Sequence, residues 1–194
     1  MPRKPSPAIS PDEILTSEFD YIANTAFQAN EDRARATSFY LVTFGSFIAA
    51  LVSAQLDISP GQESWLDWGF SGLFVALALM GLVTVLELAR LRAAWFDSVE
   101  AMNTIKEYYI ARYPDLAEAI KWRSQSGAMP QRLKLTSVGF LMALQVAVLG
   151  GAALGAGVFF LVKAISGTIW FLPAILAGVA YFLALLEGYR LTLK

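Results

Sequence analysis

The chain of 194 residues contains no cysteine and no histidine. Without cysteine there is no disulfide framework, no thiolate metal site and no cysteine nucleophile. Without histidine the commonest general base, the commonest metal ligand and the usual physiological pH switch are gone. Charge is scarce as well: 16% of residues are Asp, Glu, Lys or Arg, where a soluble domain carries about 25%. No Ser/His/Asp set, metal-ligand spacing, phosphate-cradling glycine loop or intramembrane Asp pair is present. The chain reads as a non-enzyme with no cofactor. Its central segment is too short and too mixed in charge for a nucleic-acid module. No N-terminal signal peptide is visible, because Met1-Pro2-Arg3-Lys4 leads into polar sequence rather than an apolar run.

What is abundant is apolar surface. Hydrophobic residues make up 56% of the chain and the mean hydropathy is +0.51. The excess falls in long runs, which is the membrane signature. Residues 1–9 hold Pro2, Pro5 and Pro7 and predict a disordered tail. Ser10-Pro11-Asp12-Glu13 predicts a helix start: Ser10 as N-cap, Pro11 at the first helical position, and Glu13 closing a capping box. Leu15, Phe19, Ile22 and Ala26, with Ile14 and Phe27 beside them, form one apolar stripe on a helix over 10–36. No Gly or Pro follows until Gly45, so this helix is expected to run on into the membrane.

The first hairpin occupies 37–89, with spans at roughly 37–56 and 65–88. Gly45, Ser46, Ala49 and Ala50 give the first span a small-residue face that another helix can approach closely. Trp65 and Trp68 suit the interfacial belt. The region 90–134 begins as a continuation of the second span: Leu91, Trp95, Met102, Ile105 and Tyr109 fall near heptad spacing, and Pro114 ends the helix. Two rods of about 26 and 24 residues therefore leave the membrane side by side, and their stripes predict an antiparallel coiled-coil-like stalk. The alternative is a pair of helices lying flat on the bilayer. A short helix from Asp115 to Gln125 and a turn at Ser126–Pro130 follow. The second hairpin occupies 135–188, with spans at roughly 135–162 and 169–186, and 189–194 form the C-terminus. Gly151 and Gly155 make a GxxxG pair, extended by Ala147. Gln145 is the only amide well inside a span, and helix–helix hydrogen bonding is its expected role.

Lys163 is the only basic residue in the outer loops; the other fourteen of the 15 Lys and Arg lie at the termini or in the central segment. By the positive-inside rule the chain is an integral protein of a plasma or bacterial inner membrane with both termini cytoplasmic. The two hairpins then point the same way. A recurring pattern supports duplication. Arg33-Ala-Arg35-Ala-Thr37-Ser38 returns as Arg132-Leu-Lys134-Leu-Thr136-Ser137, and Leu86-Glu87-Leu88-Ala89-Arg90-Leu91 returns as Leu186-Glu187-Gly188-Tyr189-Arg190-Leu191. The expected fold is thus all-α: four transmembrane helices as two duplicated, parallel-oriented hairpins with a cytosolic helical stalk.

Glu87 with Arg90 and Glu187 with Arg190 sit at i,i+3 and read as membrane-boundary charges, with a pore mouth or proton site as the alternative. Arg33, Arg35, Arg92 and Lys134 arrive at one depth and form a candidate contact for lipid phosphate or another anion. Gly45, Ala49, Gly151 and Gly155 are the expected helix-packing positions. These features point to a non-enzymatic membrane interaction or effector module. It would oligomerise in the bilayer, contact lipid, and be engaged through its stalk by a cytosolic protein. A small oligomeric channel or transporter for ions or small solutes is the alternative.

Overall fold

The computed structural model describes residues 10–55, 63–120 and 132–194; residues 1–9, 56–62 and 121–131 lie outside it. The described residues form five helices and no strand: α1 (Pro11–Gln55), α2 (Glu63–Arg112), α3 (Leu116–Ala119), α4 (Val138–Ser166) and α5 (Phe171–Thr192). Four of them, α1, α2, α4 and α5, are long and apolar enough to cross a membrane.

The start of α1 is a reciprocal capping box. The Ser10 backbone N–H donates to Glu13 Oε2 at 3.1 Å, and the Glu13 N–H donates to Ser10 Oγ at 3.2 Å. The helix then continues unbroken for 45 residues, and α2 for 50, each longer than a single crossing needs. Pro114 follows α2 within two residues. The short helix expected from Asp115 to Gln125 is observed only as Leu116–Ala119. Asp115 occupies its N-cap position without a side-chain hydrogen bond, and the segment beyond 120 lies outside the described residues.

The third span starts later than residue 135, at Val138, because Ser137 caps α4 by accepting the Phe140 N–H at 3.2 Å. It also ends later, at Ser166. There Gly167 adopts the left-handed conformation (φ 64°) and returns its N–H to the Lys163 carbonyl at 2.9 Å, a geometry that favours glycine. The fourth span extends past residue 186 to Thr192, with Pro173 tolerated in its first turn.

Packing centres on α2 and α4, which share the most extensive interface; α1 lies mainly against α2, and α5 against α4 and α2. The glycines of α4 make this possible. A Cβ on Gly151 would lie 2.9 Å from the Gly178 carbonyl oxygen of α5, and one on Gly155 would lie 3.0 Å from that of Ala174. On its other side α4 meets α2, where a Cβ on Gly81 would lie 3.3 Å from Gly150 Cα. The GxxxG pair is therefore consumed inside the protomer. Gly45 differs: nothing lies within 4 Å of its Cβ position, and Gly45, Ser46, Ala49 and Ala50 all stay exposed.

Two tyrosines tie the outer helices to the middle of α2. Tyr40 of α1 donates to the Leu77 carbonyl at 3.4 Å, and Tyr181 of α5 donates to the Ala78 carbonyl at 2.8 Å. Ser71 joins α2 to α4 through the Gly157 carbonyl at 2.9 Å. Tyr40, Val85, Leu88, Val146, Leu185 and Tyr189 are the largest fully buried side chains.

The N-terminal half of α1 and the C-terminal half of α2 also touch. The stripe of α1 continues past Ala26 as Ala29, Arg33, Thr37 and Tyr40, all buried. Lys106 of α2 lies over the Phe19 ring at 5.9 Å, and Arg33 over Trp95 at the same distance. Ile14 and Phe27, expected beside the stripe, face outward at 57% and 64% exposure.

A Gly178→Val substitution drives side-chain atoms into the Gly151 carbonyl, 2.8 Å from the Cβ position. It should destabilise the protein by about 1–3 kcal/mol or more. Gly188→Ala, with nothing within 4 Å, should be neutral or gain up to about 1 kcal/mol from helix propensity. Thermal unfolding in detergent separates the two.

Candidate functional site

Where α1 and α2 pass the first turn of α4, at the neck of the bundle, three helices enclose a cavity of about 400 Å³. Asn30 and Arg33 come from α1, Arg92 and Trp95 from α2, and Val138, Gly139 and Met142 from α4. Arg33 is drawn inward because it lies on the same heptad-spaced stripe as Ala26 and Ala29. Arg92 follows Leu88 and Ala89 on the buried face of α2. Each arginine is only 6% exposed, which is unusual for this residue type.

Both guanidinium groups lean on one indole. Arg92 Cζ lies 4.5 Å and Arg33 Cζ 5.9 Å from the Trp95 ring centroid, within the range of a cation–π contact. Arg33 donates Nε–H to the Ala29 carbonyl at 3.3 Å and Nη2–H to Asn30 Oδ1. Arg92 donates Nε–H to the Arg132 carbonyl at 3.4 Å. Burial lowers the pKa of Arg33, a residue before the first span, and the neighbouring Arg92 lowers it further; Tyr189 works in the opposite direction. Arg92, beyond the second span, is lowered by burial with the same opposition from Tyr189. Gly139 completes the cavity from α4, where a Cβ would lie 2.6 Å from Arg33 Nη1.

The segment leading into α4 is held to the rod of α2 by Arg132. Its Nη2 pairs with Asp97 at 2.7 Å and its guanidinium lies over Phe96 at 5.0 Å. At the opposite end of the helices Lys163 of α4 pairs with Asp67 of α2 at 3.0 Å. This partner accounts for the one basic residue at that end.

The other expected site residues lie elsewhere. Arg35 is on the surface, paired with Glu31 at 3.2 Å and Asp32 at 3.6 Å. Two residues further along a helix is a turn of about 200°, which puts Arg33 inside and Arg35 outside. Lys134 is exposed and does not line the cavity. Glu187 and Arg190 form an exposed pair at 3.5 Å. Glu87 and Arg90 are exposed on one face of α2, without an ion pair between them among the described residues. Asn30, Trp95, Gly139 and Tyr189 were not expected as a group. The available signal was the unbroken stripe of α1, which assigns Arg33 to the inner face once it is extended past Ala26.

No protein-family model, no curated protein and no solved structure matches this chain.

Replacing Trp95 by Leu removes the ring shared by both guanidinium groups and should cost about 1–2 kcal/mol. Trp68→Leu, at a side chain 52% exposed, should cost less than about 0.5 kcal/mol. Asp67→Ala strands the half-buried ammonium of Lys163 and should cost about 1–3 kcal/mol. Unfolding of each purified variant in the same detergent measures the differences.

Proposed function

We propose that the protein is a non-enzymatic integral membrane interaction module. It oligomerises in the bilayer, and a cytosolic protein partner engages it through the helical stalk formed by the rods of α1 and α2. Both termini are cytoplasmic in this reading, in a plasma or bacterial inner membrane. The two hairpins point the same way and descend from a duplication.

The observation that carries oligomerisation is Gln145. It lies about two turns inside α4, its side chain is exposed, and it makes no hydrogen bond among the described residues. An amide in hydrocarbon without a partner costs about 2–7 kcal/mol, and acyl chains offer neither donor nor acceptor. Gln145 of a second copy supplies both. The open face of Gly45 and Ala49 on α1 gives a further position where a backbone can approach closely. Engagement of the stalk is supported by Ile14, Tyr21 and Phe27 on α1, Tyr108 on α2 and Tyr113 just beyond its end, which stay exposed outside the contact between the rods.

Burial supports duplication at the helix exits. Val85, Ala89, Leu185 and Tyr189 are buried, whereas Glu87, Arg90, Glu187 and Arg190 are exposed, the same order a hundred residues apart. The common direction of the hairpins is supported by contacts that join them at both ends, Arg33 with the Gly139 region and Asp67 with Lys163.

Because the chain lacks cysteine, introduced cysteines report without background. Gln145→Cys should crosslink to a dimer in membranes, and Leu79→Cys, exposed on α2, should not. A chain that runs as a monomer on native electrophoresis and gives no Gln145→Cys crosslink overturns the oligomer. For orientation, Ser10→Cys and Lys194→Cys should react only with membrane-permeant maleimide in intact cells, and Ser166→Cys also with the impermeant reagent.

A further inference from the structure

We propose that the cavity at the neck is a binding site for a phosphate group, carried either by an anionic lipid headgroup or by a small soluble phosphate ester. The inference stands on the cavity alone and does not depend on oligomerisation.

Two guanidinium groups from different helices line one cavity, each with 6% exposure. Gathering like charges away from water is unfavourable unless an anion joins them. The cavity lining contains no carboxylate among the described residues. The acceptors of Arg33 are neutral: the Ala29 carbonyl and the Asn30 amide oxygen. The acids closest in sequence, Glu31 and Asp32, are engaged by Arg35 on the outside of α1. These two carboxylates thus serve the exposed Arg35, and Arg33 faces the cavity without them.

The third wall has the same sign. Val138 and Gly139 are the first two residues of α4, so their N–H groups have no acceptor within the helix, and the helix dipole places partial positive charge there. The Ser137 hydroxyl already serves Phe140, which leaves these two N–H groups for another acceptor. The absence of a side chain at Gly139 lets Arg33 Nη1 approach the first turn of α4 closely. A volume of about 400 Å³ holds a phosphate and its first ester carbons. Trp95, Val138 and Met142 provide apolar surface for those carbons. Planar guanidinium forks match the oxygens of phosphate in pairs, and a lone surface ammonium such as Lys134 does not. The hydrogen bond of Arg92 to the Arg132 carbonyl holds that side chain in place beside the indole.

The test uses the full chain in a maltoside detergent, which contains no phosphate. Inorganic phosphate and adenosine monophosphate probe the soluble source. Micelles doped with phosphatidic acid or phosphatidylglycerol, and native mass spectrometry for lipid retained through purification, probe the headgroup. Melting temperature is read against sodium chloride at equal ionic strength. A rise of several degrees is expected with at least one class of probe, and the class that gives it names the source. Arg33→Gln should weaken binding by about tenfold or more. Arg35→Gln, which removes the same charge at the same level outside the cavity, should leave it within about twofold. Asn30→Asp keeps the shape and places a carboxylate beside Arg33. It should raise the melting temperature without ligand and abolish the ligand-dependent rise. This variant remains informative if Arg33→Gln does not fold. The proposal is overturned if no phosphate-bearing probe exceeds sodium chloride. It is equally overturned if Asn30→Asp retains the full rise, or if Arg35→Gln loses as much as Arg33→Gln.

Discussion

The distance between helix backbones governs this molecule. Apolar side chains gain nothing by leaving lipid tails for one another, so association of spans depends on close contact and interhelical hydrogen bonds. Here α4 carries glycine toward both of its main neighbours. Gly151 and Gly155 meet Gly178 and Ala174 of α5, and Gly150 meets Gly81 of α2. At these approaches the Tyr40 and Tyr181 hydroxyls reach the Leu77 and Ala78 carbonyls of α2. The same tightness brings the first turn of α4 against Arg33. Widening the α2–α4 contact would loosen the outer helices and open the neck cavity together.

The chain also separates polar groups that serve the fold from those that do not. Thr37, Thr84 and Ser98 return their hydroxyls to carbonyls four residues earlier, at 2.9 Å in each case. This is the usual way for a hydroxyl to be satisfied within a helix. Ser71 bridges helices, and Asp67 with Lys163 closes the end remote from the neck. Against this background Gln145 stands apart, because nothing within one protomer satisfies it among the described residues.

Much of the architecture was legible in the sequence because it rests on local signals. Ser10 to Glu13 spells a capping box, and the box forms. Hydropathy located four spans, and the proline at 114 marked the end of α2. Two kinds of information were not local. The partner of each small-residue face depends on which helices meet, so Gly151 and Gly155 could be read as packing positions without their contact, Gly178, being identified. Gly45 gave a similar signal and is left open. The second kind is rotational phase over a long helix. Arg33 and Arg35 are near neighbours in a charged cluster, and composition treats them alike. Only the phase carried forward from Leu15 turns one inward and the other out. The two basic Thr-Ser stretches show the same limit. Thr37 sits in the interior of a continuous helix, whereas Ser137 is the cap at which a helix begins.

The unbroken course of α1 and α2 has a mechanical consequence. A helix without a break transmits displacement as a stiff beam, and the packed neck at Arg33 and Trp95 is where each beam would pivot. Arg33 divides α1 into arms of about 33 Å on either side, and Trp95 divides α2 into about 48 and 26 Å. Sideways motion at the N-terminal end of α1 would reappear at similar amplitude at its other end. In α2 it would be amplified nearly twofold. Two beams moving about that point would share a fulcrum but differ in arm ratio. A load on their tips would shear the first hairpin internally rather than swing it as one body.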